Sequence, residues 1–231
     1  MIVVDGRSGT KYLKFPNAYT LLLPESMGKG ERLPLILCLH DLGWDRWRCM
    51  REMCAERLVE SLGIALVLPD GRRSCFLNMA HGPRWNDYLA QELFVRLCRT
   101  FPLESKRTGV LGVGAGALGA LELAKRGIPC ALAEPRIEEA LTCGSPCWQR
   151  QEEWRGVLEG READWNPSCW RTVQGVMTGS KKALDDAHRA LGLSHWRKLY
   201  CEESTGERCA LALTELAERM ETEGQMPVER I

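Results

Sequence analysis

Charge of one sign is not in excess: 31 Lys and Arg balance 31 Asp and Glu over 231 residues. Such a chain has no net field with which to gather nucleic acid or an anionic bilayer. Its basic pairs, Arg46 with Arg48 and Arg72 with Arg73, stand among acids, as on a solvated surface. No stretch reaches the roughly 20 apolar residues of a membrane-spanning helix. The opening residues, Met-Ile-Val-Val-Asp-Gly-Arg, have neither the basic nor the apolar segment of a secretory leader. Nucleic acid and membrane are therefore not expected partners, and a cytoplasmic location is. Internal repeats, linkers and low-complexity tracts are also missing. Histidine is scarce, with four in all and none after His195.

Cysteine, by contrast, is plentiful at 11 residues. The count is odd, the spacing is irregular, and Cys38, Cys98 and Cys130 lie in apolar runs. In a reducing compartment such residues serve as small buried hydrophobes. Cys143 and Cys147 form a C-x3-C pair, but a zinc site needs two further ligands, and Cys169 and His188 are poorly placed to supply them. No metal and no cofactor is expected.

Residues 33–40, 64–69, 109–113 and 130–133 are continuous apolar runs. Runs without polar alternation suit parallel strands covered on both faces. Residues 173–177 and 198–201 are weaker strand candidates, and residues 19–24 with 2–4 predict an early antiparallel edge. Between them, residues 50–62, 87–101, 115–125, 183–191 and 209–223 carry helical periodicity. Strands alternating with helices predict one α/β domain over residues 1–231, with a mostly parallel central sheet flanked by helices. Residues 142–170 have little strand character and hold Trp148, Trp154, Trp165 and Trp170, four of the eight tryptophans. They predict a small cap or long-loop insertion. A Trp cluster of this kind packs a subdomain or lines a ligand pocket.

Gly114-Ala115-Gly116-Ala117-Leu118-Gly119 follows a strand and opens a helix, and Glu134 lies 20 residues after Gly114. Three such glycines admit a pyrophosphate to a helix N-terminus, and an acid at that spacing binds ribose. A nicotinamide-dinucleotide site is therefore one reading. Position opposes it, because the fingerprint ordinarily opens its domain and here residues 33–93 come first.

The second reading covers both halves of the chain. Residues 19–24, 33–43, 67–71, Met79 with Gly82 and Pro83, Asp87 to Leu89 with Glu92 and Leu93, and residues 112–124 keep one order and spacing. In these motifs, over residues 19–125, the chain resembles the esterase D group of the α/β-hydrolase fold. That group includes tributyrin-type, feruloyl and acetylxylan esterases and S-formylglutathione hydrolases. The resemblance implies a nucleophilic Ser at the centre of G-x-S-x-G, an acid after a late strand and a His before the last helix. Here the frame reads Gly112-Val113-Gly114-Ala115-Gly116, with glycine in the place of the nucleophile. The loop where the acid belongs reads Thr178-Gly-Ser-Lys-Lys, and the segment before the last helix, from Cys201 to Arg208, has no histidine.

Three lost roles imply a degenerate member of the fold, a pseudoesterase that binds a small ligand or a protein through the old cleft. The oxyanion-hole amides would by resemblance be those of Leu42 and Ala115, with His40, Asp41 and His81 bordering the pocket. The alternative of a carboxylic-ester hydrolase with relocated or residual activity needs a nucleophile–base pair that the sequence does not display. Restoring serine at residue 114 would strain the turn by roughly 1–3 kcal/mol and return no activity.

Overall fold

The computed structural model describes residues 1–79, 81–137, 139–140, 175–191 and 196–222. Eight strands form one sheet in the order β1-β2-β4-β3-β5-β6-β7-β8. They are β1 (Ile2–Ser8), β2 (Asn17–Leu23), β3 (Leu33–Leu39), β4 (Ala65–Pro69), β5 (Leu103–Val113), β6 (Cys130–Ala133), β7 (Gly175–Gly179) and β8 (Arg197–Tyr200). β1 and β2 pair antiparallel, as do β2 and β4, and every later pairing is parallel.

The continuous apolar runs are explained by burial on both faces. In β3, Leu35, Leu37 and Leu39 point to one side while Ile36 and Cys38 point to the other. The first side is covered by α3 (Trp85–Tyr88), a π-helical turn (Leu89–Leu93), α4 (Phe94–Thr100), α5 (Ala117–Ala124) and α6 (Lys181–Leu191). The second is covered by α1 (Arg46–Glu52), α2 (Ala55–Leu62) and α7 (Thr205–Thr222). On α7, Cys209, Ala212, Leu213, Leu216 and Met220 recur at helical spacing and lie in that core. Ser204 and Glu207 close the start of α7 as a capping box: Ser204 N–H donates to Glu207 Oε2 at 2.9 Å and Glu207 N–H to Ser204 Oγ at 3.3 Å.

One helix expected over residues 50–62 is two. Cys54 takes a left-handed backbone, φ +50°, and separates α1 from α2. Met53 and Cys54 carry no breaker signal, so this break is set by packing: the turn lets Cys49 and Met53 ahead of it and Ala55, Leu58 and Val59 of α2 enter the same core. Cys38 and Cys130 are buried free thiols and Cys98 is half-buried. Burial pushes Cys98 up to about 11 and Cys130 higher still, so neither supplies a thiolate near neutrality. The expected insertion at 142–170, its four tryptophans, and Cys143, Cys147 and Cys169 lie outside the described residues. Among the described residues no helix is long and apolar enough to cross a membrane, and no three His, Cys, Asp or Glu side chains gather as a metal site.

Candidate functional site

In an open parallel sheet the loops at the carboxyl ends of the strands gather on one edge, and ligand sites form there. Four such loops matter here, following β3, β4, β5 and β6. After β5 the chain makes a single 3-10 turn, Gly114–Gly116, before α5. Gly114 has φ +56°, the left-handed conformation that glycine adopts at least cost.

The space beside Gly114 is already taken. A Cβ built on Gly114 would lie 2.2 Å from Asp41 Cγ and Oδ1 and 2.6 Å from Oδ2. Asp41 is buried, in the loop after β3. Its Oδ1 accepts the N–H of Leu42 at 2.8 Å and the N–H of Ala115 at 2.7 Å. Its Oδ2 lies 3.2 Å from Nη1 of Arg136, from the loop after β6. Arg136 N–H in turn donates to the Gly114 carbonyl at 3.1 Å. The two amides singled out in the sequence thus meet on a single oxygen, and that oxygen belongs to the chain itself.

His40 holds this loop from beneath. Its Nε2 accepts the Gly71 N–H at 2.9 Å and its Nδ1 donates to the Asp41 carbonyl at 2.8 Å. The ring stands edge-on to Phe76, 5.0 Å between centroids. Both nitrogens are committed in the neutral Nδ1–H form, so His40 is a strut and not a free base. Burial pushes the imidazole below its ordinary pKa, against smaller opposing effects of the Asp41 carbonyl and of Asp70, Asp45 and Asp41. A histidine kept neutral in the fold stabilises it fully above the unfolded pKa, about 6.5, and that stability is lost as pH falls. Unfolding free energies from urea titrations between pH 7.5 and 5 are therefore expected to fall by up to about 1.4 kcal/mol per pH unit from this group. His40→Gln is expected to flatten that part of the profile. His81 is exposed on the turn ahead of α3 and takes no part in this hydrogen-bond set.

A second set of contacts lies at the ends of β6, β7 and β8. Glu134 has a left-handed backbone, φ +46°. Its carboxylate accepts the Ser180 N–H at 2.8 Å and the Ser180 hydroxyl at 2.9 Å, and pairs with Arg208 Nη1 at 3.1 Å. Arg208 Nε donates to the Cys201 carbonyl at 2.9 Å. A cavity of about 280 Å³ borders both sets of contacts, lined in part by Glu134, Arg136, Ser180, Lys182 and Asp186. Asp185 and Asp186 lie on α6, paired with Lys198 and Arg189.

The dinucleotide reading of Gly114–Gly119 does not fit this arrangement. Each glycine of the pattern is filled by the protein: Gly114 by Asp41, Gly116 by the Leu39 carbonyl 2.2 Å from a built Cβ, and Gly119 by Phe76 at 2.5 Å. The glycines serve close packing of the turn on β3 and on the 71–76 loop, and Glu134 is spent on Ser180 and Arg208. Sequence reasoning missed Arg136, which follows Glu134-Pro135 with no pattern to mark it.

No protein-family model and no curated protein matches the sequence. Solved structures do. A ferulic acid esterase aligns over 96% of this chain and 98% of its own, at 17% identity and a TM-score of 0.71. A fluorophosphonate-binding serine hydrolase of Staphylococcus aureus aligns over 94% and 98%, at 16% identity and a TM-score of 0.69. An S-formylglutathione hydrolase from Agrobacterium tumefaciens aligns over 94% of each chain, at 15% identity and a TM-score of 0.68. With the sheet order and the placement of the helices, these likenesses show the α/β-hydrolase fold with esterase-like neighbours.

Proposed function

We propose that this chain is a non-catalytic member of the α/β-hydrolase fold, which binds a small ligand or a protein partner at the cleft above β5, β6 and β7. One observation carries the reading. At the turn where the fold places its nucleophile, Gly114 has no side chain, and the Asp41 carboxylate occupies the space where one would begin. Covalent ester cleavage needs an attacking hydroxyl or thiol, a base to take its proton and an open pair of donors for the oxyanion. The hydroxyl is absent, the nearby imidazole of His40 has no free nitrogen, and both donors are engaged by Asp41. The free thiols of the described core fit a reducing, cytoplasmic setting.

Hydrolysis of p-nitrophenyl acetate and butyrate by the purified protein tests the reading, beside a competent S-formylglutathione hydrolase. The expected rate equals that of buffer with an inert protein. A saturable rate, abolished by a point substitution in this chain, would falsify it.

A further inference from the structure

Three donors converge on one carboxylate, and they come from three different strand ends. Leu42 follows β3, Ala115 follows β5 and Arg136 follows β6. Two backbone N–H groups on one oxygen and a guanidinium at the other make a full recognition set for a carboxylate. The carboxylate that fills it is delivered by a residue whose backbone is itself pinned. The Asp41 carbonyl accepts from His40 Nδ1 at 2.8 Å and from the Trp44 N–H at 3.1 Å. A buried carboxylate so satisfied has little reason to leave, and donors so aimed cannot be left empty without cost.

We infer that this turn is a carboxylate-binding nest whose resident ligand is the chain's own Asp41 side chain. The site is self-liganded, and it is closed to external oxyanions while Asp41 remains. The inference rests on the non-catalytic reading in one respect, that no nucleophile at residue 114 claims the same space. Its ligand class is set by shape: removal of the Asp41 side chain vacates the volume of one carboxymethyl group beside a glycine. Small monocarboxylates match that volume and present one oxygen to the amides and one to Arg136.

Asp41→Gly tests it, with formate and acetate as probes against chloride at equal ionic strength. The variant is expected to melt below the wild type and to regain several degrees in millimolar acetate, saturably, as a ligand bound only by the folded state requires. The wild type should respond to acetate no more than to chloride. Adding Arg136→Leu to the variant should weaken acetate binding about tenfold, the loss of one charge-assisted contact. If Asp41→Gly gains no more from acetate than from chloride, or if the wild type gains equally, the nest is not self-liganded. Asp41→Ala, which keeps Cβ but vacates the carboxylate, carries the same readout with formate should the glycine variant not fold. In the wild type itself, the Leu42 and Ala115 amide protons should resonate well downfield and move upfield together in the isosteric Asp41→Asn. If neither moves, the inference fails. Ester turnover by the wild type would instead overturn the non-catalytic reading and leave the acetate result to be judged separately.

Discussion

Gly114→Ser is expected to destabilise the protein by about 3–5 kcal/mol, backbone strain together with the stranding of the donors to Asp41, and to restore no esterase activity. Backbone strain alone accounts for roughly 1–3 kcal/mol. The rest comes from Asp41, because a Cβ at residue 114 lies 2.2 Å from its carboxylate. The obstruction is not a flexible chain end that swings away. It is held by Leu42, Ala115 and Arg136, so serine must evict the carboxylate from all three donors. Against a total stability of about 5–15 kcal/mol, that is a large fraction. Asp41→Gly alone, which strands the donors, is expected to cost about 1–3 kcal/mol. The two substitutions should then couple: the double variant is expected to be more stable than the sum of the singles by about 2 kcal/mol. Urea denaturation of the four proteins measures this. Additive effects would show that something other than Asp41 excludes a side chain from residue 114. The double variant is also expected to be inactive, because opening the space supplies neither base nor acid.

The same pair of residues shows why the fold was legible in the sequence and the site only partly so. Residues 33–39, 65–69 and 130–133 are short, apolar and bounded by turns, and their burial on both faces leaves one reading of their conformation. The glycine of Gly114 was also legible, as an absence, because a strand–turn–helix with that spacing has one expected residue at its centre. The reason for it was not. Asp41 precedes Gly114 by more than seventy residues, and no local pattern ties a carboxylate after β3 to a glycine after β5. Their meeting depends on β3 and β5 being neighbours in the sheet, which only the assembled topology supplies. Arg136 and Glu134 were obscured for the same reason. Glu134 stands at a spacing that matches a ribose-binding acid, but the strand order turns it toward Ser180 and Arg208. The break at Cys54 illustrates the limit within one segment. Helical spacing lies on both sides of it in two different phases, and tertiary packing set the left-handed turn.

The Glu134–Arg208 pair carries the second large effect. The resemblance to esterases places an acid after β7 and a histidine ahead of the last helix. In this chain the loop after β7 offers Ser180, the first turn of α7 offers Arg208, and the carboxylate arrives from β6. A guanidinium stays protonated throughout the accessible pH range, so it holds charge but takes no proton from a hydroxyl. What the arrangement does is tie four elements: β6 through Glu134, β7 through Ser180, β8 through the Cys201 carbonyl, and α7 through Arg208. The Thr178 hydroxyl adds a bond to the Arg208 carbonyl at 2.8 Å. The two side chains are 15% and 19% exposed, so the pair is worth less than a fully dry one. Arg208→Leu is expected to destabilise by about 2–3 kcal/mol, below the 3–5 kcal/mol of a dry buried pair. Glu134→Gln, whose amide oxygen still accepts from Ser180, is expected to cost about 1 kcal/mol. Hydrogen exchange at the Ser180 and Cys201 amides should quicken in the arginine variant before global unfolding does, because these amides close the ends of β7 and β8. Equal costs for the two substitutions would mean that the Glu134 charge alone holds this end of the sheet, and unchanged exchange in the arginine variant would mean that the pair does not tie it. The ion pair stands where the resemblance to esterases places the acid and the histidine, and on the non-catalytic reading it secures this end of the sheet in their stead.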